Sequence, residues 1–197
     1  ANIQEKDAIS ENKWRRKKGF DLVEPLYKLE DVLPALNNFV TLSYESWHRV
    51  DDDVEVLFRD AGHMLGSATV SLRIQEGART ITLGFTGDVG RPHSPILRDP
   101  LPMPQSDYLI SESTYGGQRH EPIDEAKGQL LAIIHEACVV KKGKLIIPAF
   151  SVGRTQIIVY YLDKLKTEGL LPDIPVYVDS PLAVNATNVF QMHPECF

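Results

Sequence analysis

Ala61-Gly62-His63-Met64-Leu65-Gly66-Ser67-Ala68-Thr69-Val70-Ser71-Leu72-Arg73-Ile74-Gln75 is the stretch whose reading decides the fold. From Ser67 the residues alternate, with Ala68, Val70, Leu72 and Ile74 on one side and Ser67, Thr69, Ser71 and Arg73 on the other. A strand with one covered face is written this way. Glu76-Gly77 then turns the chain tightly into Arg79 to Phe85, a second strand. His63 stands in the glycine-flanked loop entering the first strand of this hairpin. Asp88, in Thr86-Gly87-Asp88, stands in the loop leaving the second. The two loops return to the same end of the sheet, so the two side chains can converge.

Toward the start, Ile3 to Gly19 is expected to be a helix, with Gly19 at its C-terminal end and Arg15-Arg16-Lys17-Lys18 in its last turn. That basic cluster reads first as a solvated helix end, and second as an RNA-phosphate contact. Asp21 to Tyr27 is a loop or short extended piece. Leu29, Val32, Leu33 and Leu36 predict a short helix within Lys28 to Phe39, with Pro34 tolerable only in its first turn. Val40 to Trp47 and Val54 to Phe58 read as strands.

Toward the end, Arg91 to Gln105 carries prolines that forbid ladder hydrogen bonds, so it is an excursion. Asp107 to Glu112 is a short apolar strand with Glu112 at its C-terminal end. Beyond Gly116-Gly117 the texture changes. Asp124 to Val140, Gly153 to Leu165 and Pro181 to Gln191 read as helices, and Lys144 to Pro148 and Ile174 to Val178 as strands. Such alternation is the pattern of a parallel sheet with covering helices. It places a domain boundary near residue 118.

With 197 residues, 43% of them hydrophobic and 24% charged, the chain can bury one good core or two modest ones. A net charge of -6 argues against a strongly cationic nucleic-acid binder, although local basic patches can coexist with it. No apolar run approaches the ~20 residues of a membrane helix, and no signal-peptide series is present. Cys138 and Cys196, the two cysteines, support neither a disulfide framework nor a thiolate zinc site. A cytoplasmic setting without membrane contact is expected.

His63, Asp88 and Glu112, at three separate strand ends, make a plausible part of a metal centre. A hydrolytic zinc takes three protein ligands plus water, and a binuclear site takes more. The other histidines, His48, His93, His120, His135 and His193, show no H-x-H or H-x-x-x-H spacing. His93 reads as an exposed loop residue, and His120 gains nothing from its nearness to Glu112. Cys138 reads as core packing. Ser151, Gly153, Arg154 and Thr155 follow an apolar run and open a helix, where backbone N–H groups and a guanidinium can hold a phosphate. Ser180 begins another such turn.

Taken in order, Ala61 to Ser67, Thr86-Gly87-Asp88, Glu112-Ser113-Thr114-Tyr115-Gly116, Ile147 to Gln156 and Val178-Asp179-Ser180-Pro181-Leu182-Ala183 resemble the motifs of the metallo-β-lactamase/β-CASP nucleases, in their RNA-processing branch. The resemblance implies an α/β fold: a partial metallo-β-lactamase αββα sandwich over 1–117, then the N-terminal part of a β-CASP domain, with a parallel sheet and flanking helices, over 118–197. It implies that His63 and Asp88 are metal ligands, Asp88 bridging two zinc ions. Glu112 is then a catalytic acid that works beside a later histidine. It also implies that Ser151, Gly153, Arg154 and Thr155 bind RNA phosphate, and that single-stranded RNA is the substrate of the intact enzyme. A homo-oligomer is left open.

The family's H-x-H-x-D-H motif does not occur in this sequence, and Asn2 stands where many members carry histidine. The resemblance therefore implies an internal fragment of a longer, zinc-dependent phosphodiester hydrolase, inactive by itself. Three rivals are a DNA nuclease of the same superfamily, a small-molecule hydrolase of the lactamase fold and a catalytically dead RNA- or protein-binding subunit. Glu112, where the DNA branch tends to carry aspartate, and the segment after residue 118 weigh against the first two. Retention of His63 and Asp88 weighs against the third.

Overall fold

The computed structural model describes residues 1–119 and 125–196. By its contacts the chain divides into two units, Ala1–Leu42 and Ser43–Phe197. His120 and Asp124, the expected first residue of a helix, lie outside the described residues.

The first unit is built on α1, Asn2–Lys18. Gly19 ends it in the left-handed conformation, φ 73°, a backbone state that glycine adopts without steric penalty. The Arg15 carbonyl accepts from the N–H of Phe20 at 3.1 Å, and the Phe20 ring packs 5.5 Å from that of Trp14. The Asn12 amide then pairs with the Val23 backbone in both directions, donating to its carbonyl at 2.8 Å and accepting from its N–H at 2.9 Å. One side chain thus serves as a strand partner for the returning segment. In the basic last turn, Arg15 is engaged by Glu11 at 2.8 Å. A 3-10 turn, Leu29–Asp31, leads into α2, Val32–Leu36. Pro34 falls in the first turn of α2, where its missing N–H has no intrahelical partner to lose.

The second unit holds a five-stranded sheet in the order β1 (Trp47–Asp51), β2 (Val54–Asp60), β3 (Ala68–Glu76), β4 (Arg79–Phe85) and β5 (Tyr108–Ile110). The first four strands pair antiparallel, and β5 lies parallel to β4. The β3–β4 register, Val70 opposite Phe85 and Glu76 opposite Arg79, closes through Gly77 at φ 60°. That positive φ is what a two-residue hairpin turn requires. β1 begins later than the alternation from Val40 suggests. Glu45 turns through φ 61° and donates its N–H to the Phe58 carbonyl, which keeps Tyr44 to Ser46 out of the ladder. Between β4 and β5 the proline-rich excursion is anchored rather than paired, with Leu101 N–H donating to Asp60 O and the Arg59 guanidinium to Pro102 O.

Three longer helices follow: α3 (Ala126–Ile134), which continues as a π-helical stretch His135–Val140, α4 (Arg154–Thr167) and α5 (Pro181–Met192). Leu165 of α4, fully buried, and Ile134 of α3 belong to the core of this region. The mixed α/β class is the expected one, but among the described residues its parallel pairing is confined to β4 and β5. Lys144 to Pro148 and Ile174 to Val178 run without ladder bonds and line a cavity of about 870 Å³ with α3 and α4. Ile146 and Tyr177 are each 84% exposed. An apolar extended segment becomes a strand only where a neighbour at about 4.8 Å takes its N–H and C=O groups, and here the two segments face a shared cavity.

Candidate active site

The site begins at the end of β2, where the chain turns through Ala61-Gly62-His63. Ala61 is buried, and its N–H donates to the Ser67 carbonyl at 3.2 Å. The Ser67 hydroxyl accepts from His63 N–H at 3.1 Å and Met64 N–H at 3.2 Å, while Asp60 Oδ1 accepts from Gly62 N–H at 2.8 Å. Two side chains that flank the loop therefore satisfy its backbone and fix the His63 Cα before its imidazole does anything.

On the other side of the hairpin, Gly87 turns the chain at φ 56° and Asp88 follows. Gly90 N–H donates to the Ala61 carbonyl at 2.7 Å. The approach is so close that a Cβ on Gly90 would lie 1.7 Å from Gly62 O, and one on Gly62 would lie 2.7 Å from Pro100 N. The His63 and Asp88 loops thus cross backbone against backbone. The crossing brings His63 Nε2 to 3.6 Å from Asp88 Oδ2, beyond direct hydrogen-bond reach and with the Asp88 side chain 70% exposed.

Glu112, two residues past β5, completes the cluster. Its backbone N–H donates to Thr86 Oγ1 at 3.2 Å, and its carboxylate accepts from Val89 N–H at 2.8 Å. The Val89 N–H, then the Thr114 side chain and the nearby His63, hold its pKa below the ordinary glutamate value. Glu112 is therefore anionic across the neutral range, and it grips the residue next to Asp88. The contact is fully present above the unfolded pKa and is lost as pH falls through the depressed folded value. We expect the Val89 amide resonance to titrate at acid pH below the usual carboxylate range, and Glu112→Gln to abolish that titration. A Val89 amide insensitive to acid would show that the grip does not form.

Among the described residues, no group of three or more His, Cys, Asp and Glu is placed to hold a metal ion. His63 and Asp88 offer one imidazole nitrogen and one carboxylate, two of the three protein ligands a catalytic zinc takes. His93 is exposed and paired with Asp99 at 3.7 Å, and His193 with Glu195 at 2.8 Å.

The other predicted residues sit where α4 starts. Gly153, at φ 81°, turns the chain into the helix, and Arg154 is exposed, without an ion pair among the described residues. Thr155 donates its hydroxyl to the Phe150 carbonyl at 2.7 Å, and Ser151 Oγ lies 3.3 Å from Ser180 Oγ, the N-cap of α5. Gln156, to which the sequence reading assigned no role, is buried here. Its position just before the apolar run Ile157 to Val159 gave no signal, because a polar residue in a first turn ordinarily faces water.

A hairpin presenting His63 and Asp88 from adjoining loops, and a later helix opening on Ser-x-Gly-Arg-Thr, stand on an α/β scaffold. Residues 155–197 match the Beta-Casp domain. The chain is 36% identical over 168 residues to Ribonuclease TTHA0252 of Thermus thermophilus, covering 85% of this chain and 37% of that protein. It is 32% identical over 176 residues to the transcription termination factor FttA of Thermococcus kodakarensis, covering 88% and 26%. It is 34% identical over 173 residues to Endoribonuclease YSH1 of Kluyveromyces lactis, covering 85% and 22%. Residues 155–197 thus belong to the β-CASP family, and the chain is similar over about 85% of its length to proteins named as a ribonuclease, an endoribonuclease and a transcription termination factor. It spans between about a fifth and two fifths of the length of these relatives.

Proposed function

We propose that the protein works as part of a zinc-dependent nuclease that hydrolyses phosphodiester bonds in single-stranded RNA. The observation that carries this reading is the convergence of His63 Nε2 and Asp88 Oδ2 at 3.6 Å on two loops locked together by Gly62 and Gly90. Two relatives are named as ribonucleases, and their likeness supports RNA over DNA as the substrate.

In this reading His63 and Asp88 hold one edge of the metal centre, with at least one further ligand supplied from outside the described residues. Zinc, when bound, lowers the pKa of a coordinated water and stabilises charge on phosphoryl oxygens. The chain's own residues do the rest. Glu112 holds the Asp88 loop through Val89 N–H, so its part here is to position the carboxylate. Arg154 presents an exposed guanidinium whose fork matches a phosphate bidentately, next to first-turn N–H groups of α4 that have no intrahelical acceptor.

The test uses the full-length protein supplied with zinc. Cleavage of a labelled single-stranded RNA, with a DNA oligonucleotide of the same sequence left intact, is the expected result; equal cleavage of both would overturn the substrate. For residues 1–197 alone, dialysis against zinc should leave less than one tightly held ion per chain. Retention of two would show that the donor set is already complete.

A further inference from the structure

We propose that Gln156 is a positioning residue for phosphate binding, holding Ser151 and Ser180 as a paired hydroxyl donor between the starts of α4 and α5. The inference deepens the functional reading above and rests on its assignment of residues 151–155 to RNA phosphate.

The residues form a closed ring. Gln156 Nε2 lies 3.0 Å from Ser151 O, 3.3 Å from Ala183 O and 3.1 Å from Thr187 Oγ1. Ala183 N–H donates to Ser180 Oγ at 3.2 Å, and Ser180 Oγ lies 3.3 Å from Ser151 Oγ. Thr187 in turn donates to Ala183 O at 2.9 Å. One amide therefore ties the loop before α4 to the first turn of α5 and sets the spacing of the two serines.

Gln156 is only 5% exposed, and its Oε1 is buried without a hydrogen-bond partner among the described residues. With three acceptors facing Nε2, flipping the amide would set oxygen against oxygen, so its orientation is fixed. A buried, unpartnered acceptor is destabilising, and an apolar side chain of the same shape would avoid it. The amide's distinct contribution is geometric, because it donates to both walls at once.

Proton counting then identifies the ligand chemistry. Ser151 and Ser180 carry one O–H proton each, and Ser180 Oγ already accepts from Ala183 N–H. Their mutual bond uses one of the two protons, whichever serine donates. The other is not used by that bond, and both serines are partly exposed. A spare O–H on this pair, at the helix start whose first residue is Arg154, suits an anionic oxygen acceptor, as a phosphodiester is.

The experiment measures steady-state cleavage of single-stranded RNA by the full-length protein and by Gln156→Met, Ser151→Ala and the double variant, with urea unfolding of each. Met keeps the length and bulk of Gln156 but donates nothing. Each single variant should raise KM about tenfold with kcat within about twofold, the loss of one hydrogen bond to a charged group. The double variant should be no worse than about the weaker single variant, because the residues act as one unit. An unchanged KM in Gln156→Met, with or without a shifted urea midpoint, would leave RNA cleavage standing and overturn the positioning role. Additive KM effects would overturn the ring as a unit. A wild-type protein that neither cleaves nor binds single-stranded RNA would overturn the functional reading, and this inference with it.

Discussion

Gly90→Ala is expected to unfold or disassemble the candidate site, with a loss of about 3 kcal/mol or more in urea unfolding. The new methyl would fall 1.7 Å from Gly62 O, 2.1 Å from Gly62 C and 2.6 Å from His63 N. All three are backbone atoms, so no side-chain rotation relieves the overlap. Gly62 cannot retreat, because its own Cα side faces Pro100 and the Arg98 carbonyl, and its backbone sits at φ 61°. The adjustment left is to part the two loops, which breaks the Gly90 N–H to Ala61 O bond and separates His63 from Asp88. A domain is stable by only about 5–15 kcal/mol, so a loss of this size is easily measured. Gly66→Ala is the matched control. Its Cβ would meet nothing within 4 Å, so only the strain of φ 80° remains, about 1–2 kcal/mol. Equal losses in the two variants would show that the crossing of the loops is not what holds the site.

That crossing also marks the limit of what the residues declare in advance. The hairpin was legible because period-two alternation over Ser67 to Gln75 and the Gly77 turn are local features. The return of His63 and Asp88 to one end of the sheet follows from them by geometry alone. Gly62 and Gly90 each look like ordinary loop glycines, and nothing local says that they are glycine because of each other. Glu112 was visible as a strand-end acid, but its hold on Val89 N–H depends on the parallel docking of β5 beside β4 across the proline-rich excursion. Lys144 to Pro148 and Ile174 to Val178 show the converse. Their apolar texture is local, whereas a strand is a relation between two segments, and no ladder forms on either. Gln156 is the same lesson in a polar residue, since its acceptors come from Ser151, Ala183 and Thr187 on different elements.

Asp88→Ala should separate function from folding. The carboxylate is 70% exposed, and among the described residues it pairs only with His63, at 3.6 Å. The shape of its loop depends on other atoms: Thr86 N–H on Ile110 O, Val89 N–H on Glu112, and Gly90 N–H on Ala61 O. Removing the carboxylate therefore leaves the loop's scaffold in place, and unfolding free energy should change by no more than about 0.5 kcal/mol. Activity should respond quite differently. If Asp88 contributes charge stabilisation of about 4 kcal/mol to phosphodiester hydrolysis in the full-length protein, cleavage falls about 10³-fold. Asp88→Asn, which keeps the shape but loses the anionic charge, should fall nearly as far. A turn residue that merely precedes Gly90 would behave in the opposite way, with Asp88→Ala lowering stability and sparing cleavage, and Asp88→Asn restoring stability through its retained ability to bond the turn backbone. Measuring both quantities on both variants therefore decides between a metal ligand and a turn residue.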